Sequence, residues 1–413
     1  MTVVEIPDLP PETHEIETSR SPFELQTAQQ FRDDFVAAIN AAGLDDQIAF
    51  ETMQFEVCDN TLPIFDALRN AKQGGVKNTS FRYDRVARQH LRDPEGQGEA
   101  WFRPDTLGGL AIYGSHDQEG KTEKNLGKTD ATSLRGKPFN EDTISRLSNA
   151  FQTREALIAE FEAAGITDPR FKERGGFKPL SHDHTKLAIV GSIAWLGTMN
   201  QRAVDYEWSN FMIKVTDPDV VAAIKHVYAQ DEKPSLHLDE VLLDNHPDTR
   251  LLFDVGNRGE SVVYQHALEI VDSLQPDDEI TMIGQWPPVS SMYGSLAKNL
   301  MTKLSEGAKG TFLLSPEKHL HPNAFTARLF KKKMDKRVAQ NGDMSVVYLA
   351  RQTHAKALLV KRARGSMELL GGSHNFTSWT VFNGTRELAI HTTNSDLTTQ
   401  MEKYLDSLQA EQN

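Results

Sequence analysis

The chain has 413 residues, a formal net charge of −13, a single cysteine, 25% charged residues and 8% aromatic residues. This is the mix of a soluble globular protein with room for two or three domains, and it argues against wholesale disorder, a disulfide scaffold and broad attraction to nucleic acid or an anionic membrane. The opening stretch MTVVEIPDLPPETHEIETSR has neither a basic start nor an apolar core, and no run approaches the ~18 apolar residues that span a bilayer, so a reducing cytoplasm is the expected compartment.

In chain order, residues 22–43 read as a helix packing on the first of two lobes. DDQIAFETMQF (Asp45 to Phe55) then reads as a strand, and TLPIFDALRNAKQGGV (Thr61 to Val76) as a helix with the stripe Ile64, Leu68, Ala71, stopped by glycine. Residues from Arg85 to about Pro138 are rich in Gly, charge and turn formers, and Thr143 to Gly165 has the pattern of a long amphipathic helix. The next element, HTKLAIVGSIAWLGTMN, runs from His184 to Asn200.

The same order then repeats. DDEITMIGQW (Asp277 to Trp286) precedes a helical run with Leu296, Leu300 and Leu304 in one stripe, and HAKALLVKRARGSMELLGGSHN runs from His354 to Asn375. Asp45 and Asp277 are 232 residues apart but His184 and His354 only 170, so the first copy carries an insertion of about 62 residues, placed between Asp84 and His184. A loop of that length is expected to be a partly ordered, covering excursion. A duplicated β-α-β unit predicts an α/β fold of two lobes, each a mixed, largely parallel sheet flanked by helices, with one composite site where they meet. The expected division is 1–45 as an N-terminal extension and helix, 46–230 as the first lobe, 231–259 as a connection and 260–413 as the second lobe.

Each copy supplies an imidazole, an ammonium and a side-chain amide beside a Gly-Thr or Gly-Ser turn. Such a set suits a phosphodiester, an anion with a poor leaving group: one histidine attacks phosphorus, the other protonates the departing oxygen, and fixed positive charge steadies the phosphoryl oxygens. Lys186 and Lys356 are the expected neutralising cations, and Asn200 and Asn375 the hydrogen-bond donors. Thr198 and Ser373 stand at matching hydroxyl positions, to bind phosphate oxygens or shape the turn. No metal or other cofactor is required by this scheme. An isolated histidine is more often structural than catalytic, and the other twelve are assigned that reading; two copies inside a larger repeat single out His184 and His354.

Together these elements resemble the phospholipase D superfamily, most closely bacterial cardiolipin synthases and related two-motif proteins, from about Ile48 onward. FDALRNAKQGGV and the Trp208 region carry part of that resemblance. It implies cleavage or transfer at a glycerophospholipid through a phosphohistidine, with water or an alcohol as acceptor and peripheral contact with the membrane. It also implies attack by His184 and acid-base work by His354, although the residues alone allow the reverse. The family's aspartate five residues after the lysine is missing, its places being held by Gly191 and Lys361, and the second copy's longer span reads as a hairpin through RARGS. A downstream acid normally orients each histidine; Glu387 in NGTRELAI fits that place in the second copy, and Asn210, or else Glu207, in the first. The basic runs RLFKKKMDKR (Arg328 to Arg337) and KRAR (Lys361 to Arg364) could seat an anionic headgroup or form solvated faces, and Trp195, Trp286 and Trp379 could meet lipid or lie in the core. The alternatives are a nuclease or other non-lipid phosphodiesterase, which the acidic total disfavours, and a catalytically inactive binding protein.

Overall fold

The computed structural model describes residues 21–411 apart from 85–89, 93–97, 103–109, 115–140, 168–182, 230–239, 244, 257–258, 285–292, 317–331, 334, 337–339 and 341–343. Trp286 and most of RLFKKKMDKR lie outside the described residues, as does the side chain of Trp379.

The first lobe is a six-stranded sheet of β1 (Phe23–Gln26), β2 (Gln47–Thr52), β3 (Asn78–Tyr83), β7 (Leu187–Val190), β8 (Ile193–Gly197) and β9 (Met212–Val215), in the order β1-β9-β8-β7-β2-β3. The second is an eight-stranded sheet of β10 (Glu240–Leu242), β11 (Thr249–Val255), β12 (Glu279–Gly284), β13 (Lys309–Leu314), β14 (Met344–Tyr348), β15 (Ala357–Lys361), β16 (Met367–Gly372) and β17 (Arg386–Thr392), in the order β10-β11-β17-β16-β15-β12-β13-β14. Inside the insertion, β4 (His90–Arg92), β5 (Gly98–Phe102) and β6 (Leu110–Gly114) form a small antiparallel sheet of their own.

The two-lobed α/β architecture is as expected, but the sheets are not largely parallel. The parallel pairings in the two large sheets are β2–β3, β12–β13 and β13–β14, and the remaining neighbours run antiparallel. Only the strand-helix-strand units need a parallel crossover; the His-x-Lys strands return through hairpins, which force antiparallel pairing. The repeat also begins earlier than expected. β1 and helix α1 (Ala28–Ala41) precede β2 as β11 and helix α5 (Val262–Asp272) precede β12, and β1 pairs with β9 as β11 pairs with β17. So the stretch expected to be an N-terminal extension supplies an edge strand of the first sheet, and the expected connection at 231–259 supplies β10 and β11 of the second. β1 is only FELQ, too short for its alternation to stand out.

Local sequence explains the helices. Thr27 caps α1 in a capping box with Gln30, and Ser261 caps α5 through Tyr264 N. Helices α2 (Leu62–Gln73) and α6 (Ser295–Ser305) bury Ile64, Phe65 and Leu68, and Leu296, Leu300 and Leu304, on their sheet-facing sides. Helix α3 (Glu141–Ala163) ends just before Gly165, whose φ of 66° permits the reversal. A short helix, α7 (Ser378–Asn383), starts at the Thr377 cap and leads into β17.

Strand alternation divides the interior into three layers. Phe50, Ala188, Val190 and Trp195 point outward from the first sheet onto α1, α2 and α3, and Met282, Leu358 and Leu370 point outward from the second onto α5 and α6. Ala49, Leu187, Ile189, Ile283, Leu359 and Leu388 point inward, into one continuous core filled by helices α4 (Pro218–Ala229) and α8 (Ser395–Ala410). At about 1.5–3 kcal/mol for each fully buried large apolar side chain, this shared core is what holds the lobes face to face. Trp195 is a fully buried core residue whose Nε1 donates to Gln26 Oε1 (3.1 Å). No helix among the described residues is long and apolar enough to cross a membrane.

Candidate active site

Each His-x-Lys triplet is the last stretch of irregular chain before a hairpin. In the first lobe β7 and β8 meet through a tight turn at Gly191 (φ 53°), and in the second β15 and β16 are joined by Arg362 to Ser366, the longer loop expected through RARGS. That loop lies at the far end of β15 from His354. There Arg362 pairs with Asp278 (3.2 Å) and Lys361, at the end of β15, with Glu402 (3.1 Å), so KRAR stands apart from the site.

The hairpins bring the ends of each motif together. Gly197 N donates to Lys186 O and Gly372 N to Lys356 O, both at 3.3 Å. Thr198 and Ser373 then make matching contacts, each backbone N–H donating to a carbonyl, of Phe211 just before β9 (3.0 Å) and of Leu388 in β17 (2.9 Å). Neither glycine can carry a side chain, since a Cβ would sit 2.4 Å from Phe211 O at Gly197 and 2.4 Å from Leu388 O at Gly372. Both lysines are buried, with Nζ donating to the carbonyl of their own motif's histidine, Lys186 to His184 O (2.5 Å) and Lys356 to His354 O (2.6 Å).

Across the lobe boundary the two imidazoles face each other with ring centroids 6.1 Å apart. A pair of isolated parallel bridges, Asp183 with Arg386 and Ser209 with Thr353, threads each motif against the other lobe's last site strand. His184 N donates to Arg386 O (2.9 Å) and His354 N to Ser209 O (3.0 Å). Orientation of the histidines is therefore exchanged between lobes, contrary to the expectation that each acid serves its own copy. Glu387 Oε2 accepts from His184 Nδ1 (2.9 Å), while Ser373 Oγ donates to the same carboxylate oxygen.

His354 is held differently, its Nδ1 donating to Thr198 O (2.8 Å). Asn210 occupies the place that Glu387 has in the other half, but its Oδ1 accepts from Thr198 Oγ1 (3.3 Å) and its Nδ2 donates to Asp205 O (2.8 Å). It touches neither histidine ring in this way, and Glu207 is exposed. With Nδ1 protonated on both rings, each Nε2 carries the lone pair.

Among the other expected residues, Asn200 is buried with Oδ1 lacking a hydrogen-bond partner, and Asn375 is half-buried at the matching place. Arg202, two residues beyond Asn200, was not anticipated. It is buried, bidentate to Asp205 (2.7 and 3.1 Å), bonded to Gln54 (2.8 Å) and 5.2 Å from the Trp208 ring, which itself lies 6.3 Å from His354. Its proximity to Asn200 was the available clue. His374 and Asp254 were missed as well: they are buried behind Glu387, with His374 Nε2 3.9 Å from Asp254 Oδ2 and Ser261 Oγ donating to Asp254 (2.6 Å). His374 Nδ1 accepts from Phe376 N (2.8 Å), the structural role assigned to histidines outside the motif pair.

Electrostatics fit a site built for an anion. Burial, then Lys356, Lys186 and Arg202, hold the His354 imidazolium well below its ordinary pKa. Burial likewise lowers Lys186 to about 8 and, with Lys186 adding to it, Lys356 well below the usual lysine range. Burial raises the Glu387 carboxyl, with His374 and Lys186 opposing. A bound phosphoryl anion would reverse these shifts on the cations. Among the described residues no group of three or more His, Cys, Asp or Glu converges as for a metal ion.

No protein-family model matches the chain, and no curated protein is significantly similar to it in sequence. In three-dimensional structure, by contrast, the chain matches solved proteins, at low sequence identity. A phosphatidylserine synthase from Haemophilus influenzae matches with TM-score 0.58 and 10% identity, over 94% of this chain and 86% of that one. The fold is the two-lobed phospholipase D-like fold. Also similar are polyphosphate kinase from Porphyromonas gingivalis (TM-score 0.49, 12% identity, 95% of this chain and 50% of that one) and yeast tyrosyl-DNA phosphodiesterase (TM-score 0.45, 11% identity, 90% and 88%). In this phospholipase D-like frame the paired motifs come together at the junction of the lobes.

Proposed function

We propose that the chain is a phosphodiester-cleaving or phosphodiester-transferring enzyme that works through a phosphohistidine, with a glycerophospholipid as its substrate. The observation that carries this reading is the pair of imidazoles facing across the lobes, one backed by a carboxylate and the other by a carbonyl. His184 Nε2 attacks phosphorus; the P–N bond forms as the P–O bond to the leaving alcohol breaks. Glu387 stabilises the positive charge that phosphorylation leaves on the His184 ring, a service the Thr198 carbonyl performs less well for His354. This asymmetry supports His184 as nucleophile. His354, its pKa restored by the bound anion, gives its Nε2 proton to the leaving oxygen and then takes one from the incoming water or alcohol. Lys186, Lys356, Asn200 and Asn375 steady the phosphoryl oxygens, while Thr198 and Ser373 hold the turns and the orienting groups.

The phosphatidyl choice rests on the similar phosphatidylserine synthase and on the acidic net charge of −13, which disfavours a polyanionic nucleic acid. Such a lipid would be met from the membrane surface. The test is incubation with phosphatidylglycerol or phosphatidylethanolamine vesicles and, separately, single-stranded DNA, with His184→Asn and His354→Asn beside the wild type and products identified by mass spectrometry. Phosphatidic acid or a transphosphatidylated lipid made only by wild type is expected. Nucleotide fragments instead would transfer the reading to a nuclease, and equal turnover by the histidine variants would overturn it.

A further inference from the structure

Beside His184 the twofold correspondence between the lobes breaks at a buried charged cluster. Glu51 on β2, Arg82 on β3, Asp183 and Arg386 lie together, with Arg386 Nη2 3.5 Å from Glu51 Oε1, Arg82 Nη1 3.7 Å from Glu51 Oε2 and Arg386 Nε 3.6 Å from Asp183 Oδ2. The strand registers place Ile283, Leu313, Thr353 and Ser209 at the corresponding positions around His354, and all of these are neutral.

The charges are not required to build the turns. Asp183 Oδ1 accepts from Thr185 N (3.0 Å), and Thr353 Oγ1 accepts from Ala355 N (3.1 Å) in the same way. Asp84 Oδ2 accepts from Asp183 N (2.7 Å), as Ser315 Oγ does from Thr353 N (3.1 Å). Buried ion networks are also weak contributors to stability, because desolvation offsets much of the attraction. What sets this cluster apart is its address: Asp183 immediately precedes His184, Arg386 immediately precedes Glu387, and Glu51 reaches from the first-lobe sheet to the second-lobe arginine.

We infer that Glu51, Arg82, Asp183 and Arg386 form a one-sided positioning network that fastens the start of β17 to the first lobe and so keeps the Glu387 carboxylate on His184 Nδ1, making the His184 half the nucleophilic one. The inference rests on the phosphohistidine reading for its consequence in catalysis, but the geometry it concerns is measurable without turnover. Arg386 acts twice, its guanidinium on Glu51 and Asp183 and its carbonyl on His184 N. None of the four touches a reacting atom in this scheme, so all are positioning residues.

The test uses full-length protein labelled with 15N-histidine, with His184→Asn and His354→Asn to assign the rings. Burial raises the Glu51 carboxyl to about 7, with Arg386 opposing, so above that pH Glu51→Gln removes one charge at constant shape and the double variant Glu51→Leu/Arg386→Met removes one charge of each sign; circular dichroism and a thermal melt establish folding first, and Glu51→Gln serves alone should the double variant not fold. The expected result is a His184 titration midpoint lower by about half a pH unit or more with that of His354 unmoved, and phosphoenzyme formation slowed about tenfold at unchanged KM. An unmoved His184, or equal movement of both histidines, overturns the inference. A His184-selective shift in a protein that turns over no phosphodiester supports the network and overturns the phosphohistidine reading instead.

Discussion

Glu387 and His184 are 203 residues apart in the chain and joined by a 2.9 Å hydrogen bond, each belonging to a different lobe. The group that orients the proposed nucleophile is thus supplied by the other lobe of the same polypeptide, so neither half of the candidate site is complete without the other.

Removing the carboxylate should expose that dependence. Glu387→Gln keeps the volume and can still bond Ser373 and His184, but it no longer balances a phosphorylated, cationic imidazole. Turnover is expected to fall between about 100- and 10,000-fold. Burst kinetics should place the loss in phosphoenzyme formation; activity within a few-fold of wild type would refute the role of Glu387.

Asn210→Asp is expected to lower activity a few-fold rather than raise it. Adding an acid to this lobe looks like a repair only if the side chain reaches a histidine. Its amide instead donates to Asp205 O, and His354 Nδ1 is already engaged with Thr198 O. A carboxylate there would face a carbonyl oxygen without a proton to share, at a cost of about 1–3 kcal/mol. A lowered melting temperature alongside the loss of activity checks this.

The lysines predict the alkaline limb. Burial lowers Lys186 to about 8, so kcat/KM should decline as pH rises past that value, because the cation proposed to attract the phosphoryl group is lost. Lys186→Met should cost about 100-fold or more in kcat, the scale of losing one fixed charge-stabilising donor, and should remove this limb from what activity remains.

Asp254 predicts a stability slope. Burial raises its carboxyl to about 7 from 3.8, so the folded protein holds that proton where the unfolded chain has released it. Its contribution to stability is therefore fully present below about pH 4 and is lost as pH rises through about 7. Nearby His374, lowered to about 4, has the opposite slope, so the test is a difference. Asp254→Asn, compared with wild type by urea unfolding, should gain relative stability as pH rises from about 4 to about 7 and hold it above that. Parallel curves would refute the buried, protonated state.

Gly197→Ala and Gly372→Ala should each destabilise by about 3 kcal/mol, the upper part of the range for overpacking, because backbone rather than a mobile side chain stands in the way. Shifts in urea midpoint measure this, and equal costs would express the correspondence of the two halves.

Much of the scaffold was legible because it is local. The alternation in AFETM and ITMIG, the stripes on α2 and α6, and the glycine stops all lie within windows of a few turns, and the unequal offsets between copies located the insertion. β1 and β11 escaped because a four-residue strand and a strand in a supposed linker carry too little pattern. The largely parallel expectation failed because hairpin returns outnumber crossovers, which local periodicity does not distinguish.

The sequence by itself determined which residues were candidates: two histidines, two lysines and two asparagines on a duplicated strand-turn-strand frame, with Glu387 the acid of the second copy. Only the tertiary structure decided which histidine that acid serves, that Asn210 serves neither, and that Glu51, Arg82, Asp183 and Arg386 gather on the His184 side. The physical reason is that pairing within a hairpin is set by residues close in sequence, whereas the partners of His184 and His354 are set by packing two lobes through a shared core, which brings Arg386 to Asp183 and Ser209 to Thr353.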